Sequence, residues 1–181
     1  FCMNTRKIFG VLAIIVALSF SVMGQDENRD LIANGKGVSF EASSVFPTPP
    51  WMAPPSNISN EMMQLRWEAD HETEGAWITV KWKQPQKIKE LWIVNKATPY
   101  DFLLDPYMRT ANYLVPRIIK LIFSEGTTIK AELRLSEYFQ IITLPGEIET
   151  GSVKFMIDKI WEGSGELNTG LCKVKAFSKP N

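Results

Sequence analysis

Tyr100, Asp101, Asp105, Tyr107, Arg109, Asn112 and Tyr113 all fall in one stretch, KATPYDFLLDPYMRTANYLVP, residues 96–116. A sugar ring presents a face of C–H bonds that stacks on an aromatic plane, and its hydroxyls need planar donors and acceptors around the rim. Tyrosines beside carboxylates, a guanidinium and an amide supply both kinds of group. Trp51, in SSVFPTPPWMAPPSN, and Trp161, in WEGSGELNTG, stand in irregular stretches of the same kind. The expected ligand contacts are therefore Trp51, Tyr100, Asp105, Tyr107, Arg109, Asn112, Tyr113 and Trp161. The plainer alternative is that the tyrosines only pin down a long loop.

Other chemistries find less support. His71, the sole histidine, lies in EADHETEG with no cysteine or second histidine at ligand spacing. It reads as an exposed loop residue, with a sugar hydrogen bond as its one functional alternative. Cys172 lacks the flanking residues of a nucleophile site and reads as a small buried hydrophobe. Carboxylates are plentiful, yet most fall in turns or at outward strand positions, where they confer solubility. GSGE at 163–166 does not lie between a strand and a helix, as a phosphate cradle requires. Lysine plus arginine balance aspartate plus glutamate at 20 each, so bulk charge favours neither nucleic acid nor an anionic membrane. No cofactor and no catalytic residue are expected.

The elements that must hold these residues are short strands. Alternation places Val38, Phe40 and Ala42 on one face, then Ile78, Val80 and Trp82. Pro85 is expected to end the strand that carries Trp82. Leu91 and Ile93 follow, with Trp92 turned outward. The same spacing selects Ile119, Leu121 and Phe123; Ile129, Ala131, Leu133 and Leu135; Ile142 and Leu144; Val153, Phe155 and Ile157; and Cys172, Val174 and Ala176. SEGT at 124–127 is a hairpin turn with Gly126 free to take positive φ. A helical turn is expected only over Ser59–Trp67, capped by Ser59 or Asn60. About eight strands without a sustained helical period give an all-β fold, an antiparallel jelly-roll sandwich.

Ahead of this pattern, Arg6 and Lys7 precede the apolar run Ile8–Met23, and the polar GQDENRD follows. That is the order of a secretory signal peptide, and the run is shorter than the ~20 residues of a comfortable membrane span. The expected division is 1–24 signal peptide, 25–37 lead-in and 38–178 sandwich domain, with cleavage after Gly24 and an uncleaved anchor as the alternative. Cys172 is then the one remaining cysteine, so no internal disulfide forms even though the export route permits one.

GAWITVKWKQPQKIKELWIVN, IIKLIFSEGTTIKAEL, GSVKFMIDKIWEGS and TGLCKVKAF resemble, in order and spacing, successive blocks of the galactose-binding-like, discoidin-type superfamily. The nearest resemblance is to the NADase-type glycan-binding domain, and it covers roughly Val38 to Phe177. It implies a secreted or periplasmic, cell-surface module that binds carbohydrate on a cell surface or polysaccharide, without catalysis, nucleic acid or membrane insertion after signal cleavage. It also implies that Trp67 and Trp77 brace the sandwich. Many relatives hold a structural calcium ion with an Asp-Gly pair and an acidic residue in the last strand. Here Ser59 and Asn60 stand near the pair and Lys173 replaces the carboxylate, so no metal is expected there. Two other readings stay open: a protein-interaction or adhesion module with a degenerate sugar site, and a small glycoside hydrolase.

Overall fold

In the computed structural model the chain is described over residues 30–47, 53–61, 65–95, 114–161 and 168–179. The strands are β1 Val38–Ala42, β2 Trp67–Glu68, β3 Trp77–Val94, β4 Pro116–Phe123, β5 Thr128–Glu132, β6 Gln140–Ile160, β7 Gly170–Leu171 and β8 Lys173–Phe177. All strand pairs are antiparallel. The larger sheet runs β1-β3-β6-β4-β5, with β8 added to β3, and β2 pairs with β7 in a small ladder.

Two long strands make one sheet into a sandwich. The first half of β3 lies between β1 and the second half of β6, and its second half lies between β8 and the first half of β6. Both halves bury their apolar sides in one core containing Ile78, Val80, Leu91, Ile93, Ile119, Leu121, Phe155, Val174 and Ala176. The bend falls where the β3–β6 register shifts, between Lys81 and Gln86. Pro85 sits inside that shift and is exposed. It therefore bends β3 instead of ending it, because its missing N–H is not needed where the ladder is already interrupted.

Several spacing-based expectations hold. Val38, Phe40, Ala42, Trp82, Ile129 and Ile142 pack on the core from partly buried positions. Gly126 turns the β4–β5 hairpin at φ +101°. Trp92 faces outward and meets Phe177 and Phe139, with ring centroids 4.9 and 6.0 Å away. Trp67 is completely buried, and its indole N–H donates to the Ser44 carbonyl at 3.0 Å. Burying a ring of that size removes roughly 150–250 Å² from water, about 4–6 kcal/mol before the entropy cost. Leu31 and Ile32, ahead of β1, also belong to the core region, and Leu31 donates its N–H to Ala176.

Trp77 is partly buried on the outer surface of the sheet, under the Lys154 ammonium at 4.2 Å. Three further expectations need correction. Leu135 is 55% exposed, because β5 ends at Glu132 and the alternation stops with it. The described helical turns are 3-10 turns over Ala33–Gly35 and Pro55–Ser59, and Asn60 closes the second instead of opening a helix. Proline at its first position supplies the fixed φ of a helix start. Cys172 is fully buried, but it packs with Val94 and Phe139, apart from Val174 and Ala176. The alternation slips at Cys172, between β7 and β8, so Leu171 and Val174 both face the main core.

Candidate ligand-binding end of the sandwich

At one end of the sandwich, five segments lie side by side through backbone hydrogen bonds. Phe46 N–H donates to Glu68, Ala69 to Thr169, Leu114 to Asn168 and Trp161 to Val115, over 2.8, 2.8, 2.7 and 2.9 Å. Thr169 adds a hydroxyl bond to the Leu114 carbonyl at 2.7 Å. Close approach at the centre of the row depends on Gly170, where a Cβ would stand 2.0 Å from the Trp67 carbonyl oxygen. Proline-rich and glycine-rich sequence read as irregular meets the sheet here: the stretch holding Trp51 leaves after Pro47, and WEGSGELNTG runs from Trp161 back to Asn168.

Asn95 is the last described residue before 96–113 and ties together the segments around it. Its buried amide donates to the carbonyls of Pro116 at 2.7 Å and Arg134 at 2.8 Å, and its Oδ1 accepts from Gln140 at 3.1 Å. Arg134 N–H in turn donates to Gln140 Oε1 at 2.6 Å. One side chain therefore ties together the chain on either side of residues 96–113 and the segment between β5 and β6.

Polar side chains cluster along the row. Buried Glu68 receives Arg66 Nε and Nη2 on Oε2 at 2.9 and 2.7 Å, and Asn168 Nδ2 on Oε1 at 3.2 Å. Asn168 Oδ1 accepts the backbone N–H of His71 at 2.9 Å. That bond holds His71 in the left-handed region at φ +51°, the one described non-glycine residue there. A non-glycine residue persists in that conformation only when its surroundings over-determine it, and such strain gathers at functional sites. The His71 imidazole is presented to solvent, with its Nε2 3.6 Å from Asp70 Oδ1.

Further along the row, Trp161 is half-buried, and its indole N–H is buried without a hydrogen-bond partner among the described residues. The Arg117 guanidinium lies 5.0 Å from the centre of its ring and also bonds Glu132 Oε1 through Nε and Nη2 at 3.2 and 3.0 Å. Register shifts of β4 against β6 between Pro116 and Ile119 aim Arg117 outward onto the indole. Between His71 and Trp161 lie three strand spacings, about 14 Å.

This end therefore offers an aromatic surface, a stacked guanidinium paired with a carboxylate, an exposed imidazole and a carboxylate. Of the residues expected to contact ligand, Trp161 stands on the row. Trp51, Tyr100, Asp105, Tyr107, Arg109, Asn112 and Tyr113 lie outside the described residues. Spacing did not mark Asp70, Arg117, Glu132 or Asn168, and it marked His71 as an exposed loop residue with a sugar hydrogen bond as the alternative. Their roles depend on contacts between distant segments, and Asn168 holds His71 across 97 positions.

No family model and no curated protein sequence matches the chain. Solved structures do match it. A family 32 carbohydrate-binding module from Clostridium perfringens NanJ, in complex with galactose, superposes with a TM-score of 0.58 at 11% identity, covering 78% of this chain and 93% of that one. A further such module from Clostridium perfringens, in complex with GalNAc-β-1,3-galactose, gives 0.57 at 12% identity, covering 78% and 95%. Allantoicase gives 0.55 at 13% identity, covering 83% of this chain and 43% of its own. Together with the eight antiparallel strands described above, these matches establish the galactose-binding-like, discoidin-type β-sandwich as the fold of this chain.

Proposed function

We propose that the chain is a secreted, non-catalytic module that binds carbohydrate at the end of the sandwich bearing Trp161 and His71. Residues 1–24 would direct export, 25–37 would lead into the fold, and 38–178 would form the binding domain. The observation that carries this reading is the row itself: Trp161 under Arg117, and His71 held in a strained backbone by Asn168. An aromatic face flanked by ionic and imidazole groups suits a sugar ring and its hydroxyls. Trp51, Tyr100, Asp105, Tyr107, Arg109, Asn112 and Tyr113 are proposed as further contacts. Two structural neighbours were solved with galactose and GalNAc-β-1,3-galactose, so glycans containing galactose or N-acetylgalactosamine are the first class to try.

A glycan array probed with the purified chain tests the proposal. The expected result is binding to a subset of glycans that Trp161→Ala or His71→Ala weakens by about 1–3 kcal/mol, the range for losing one stacking or polar contact. Absence of binding to every glycan overturns it.

A second reading, a protein-interaction or adhesion module, is favoured by a different surface. Leu135, Tyr138 and Ile141 are 55%, 81% and 54% exposed within seven consecutive residues. Contiguous exposed apolar side chains mark interaction sites more often than scattered ones do. A protein partner whose capture is lost in Leu135→Ser/Ile141→Ser, with the array silent, would favour this reading.

A further inference from the structure

Lys173 opens β8, and its side chain does not reach water: the residue is 3% exposed. The ammonium donates to the backbone carbonyls of Asn57 at 2.9 Å and Leu65 at 2.7 Å. No carboxylate lies within ion-pair distance of it among the described residues. A buried lysine is ordinarily paired with an acid. Among the described residues, the compensation comes from two peptide dipoles.

Those dipoles belong to two separate segments. Asn57 lies in the Pro55–Ser59 turn, which packs against β8, and Leu65 opens the run into β2. Carbonyl oxygens from two segments that converge on one buried point make the environment of a bound cation. We propose that these carbonyls form an internal cation site that the chain fills with its own ammonium, and that a small alkylammonium ion enters the site when the lysine is shortened.

Lys173 then acts as a positioning residue for the candidate ligand-binding end. Asn57 Nδ2 also donates to the Arg66 carbonyl at 3.1 Å, so the clamp reaches residues 57, 65 and 66 together. Arg66 carries the guanidinium that holds Glu68, and Glu68 is the partner of Asn168. Release of the clamp would take the ammonium from both carbonyls, leaving Asn57 O with the Asn60 N–H at 3.1 Å, and would loosen the segment leading into β2. The inference concerns how this segment is held and does not depend on what the end of the sandwich binds.

The test is thermal melting of Lys173→Ala, with Lys173→Met as a control that fills the same channel without an N–H. Both variants should melt about 5–10 °C below the parent protein. Methylammonium or ethylammonium should restore about half of the loss in Lys173→Ala by binding the folded state. Neither amine should help Lys173→Met, and tetramethylammonium, which has no N–H to donate, should help neither variant. Failure of the primary amines to raise the melting temperature of Lys173→Ala overturns the proposal, and so does equal stabilisation by tetramethylammonium. If Lys173→Ala does not fold alone, its refolding yield with and without methylammonium is the readout, and equal yields overturn the proposal in the same way.

Discussion

Burial holds the Lys173 ammonium down to about 8, while the neighbouring Cys172 acts in the opposite direction. A lysine in the unfolded chain keeps its proton up to about pH 10.4. Between these values the unfolded state binds more protons than the folded one, so this group makes stability rise as pH increases from about 8 to about 10. Below that window the penalty for burying the charge is present in full. The neutral amine that remains above it still has two N–H groups for its two carbonyls. Denaturant melts should therefore show the parent protein gaining on Lys173→Met across the window, and a loss instead would mean that the carbonyls raise this pKa. Cys172 supports a second expectation. Cys172→Ser should cost about 1–3 kcal/mol by placing a hydroxyl against Val94 and Phe139, and the native thiol should react slowly with a thiol reagent. The identity of Lys173 and the burial of Cys172 were legible in the sequence. The carbonyls that receive the ammonium were not, because backbone acceptors carry no mark in sequence.

Among the elements, the small β2–β7 ladder contributes most to the candidate site and was the hardest to read. Each of its strands has two residues, too few for alternation to register. By contrast, β3, β4 and β6 announce themselves through runs such as Ile119-Leu121-Phe123 and Val153-Phe155-Ile157. Pro85 was misread as a terminus because a single sequence does not reveal where a ladder is already broken. The ladder also has a sharp test. Gly170→Ala would press a Cβ to within 2.0 Å of the Trp67 carbonyl oxygen, a backbone atom that cannot rotate away. The expected cost is about 2–4 kcal/mol, with weakened ligand binding in the fraction that folds. Gly126→Ala, at φ +101° with nothing near its side-chain position, should cost only about 1–2 kcal/mol and leave binding unchanged. Paired melting and binding measurements on the two variants separate an element that builds the site from one that only turns the chain. Equal effects on binding would detach the ladder from the ligand.

For the whole molecule, the determining feature is that β3 and β6 are each shared by both layers. One half of each strand pairs beside β1 or β4, and the other half pairs near β8. Neither layer can therefore open without removing pairing partners from the other, and one core fills the space between them. A chain built this way should unfold in one step, since local opening of either layer would expose Leu91 and Ile93 as well as Ile78 and Val80. Urea titration followed by far-UV circular dichroism, by tryptophan fluorescence and by reactivity of the Cys172 thiol reports on the backbone, on the two layers through Trp82 and Trp92, and on the outer cluster beside Val94. The three midpoints should coincide. A thiol that becomes reactive at lower urea than the loss of β signal would show that the layer containing β8 separates first, and the shared strands would then act as a hinge instead of a lock.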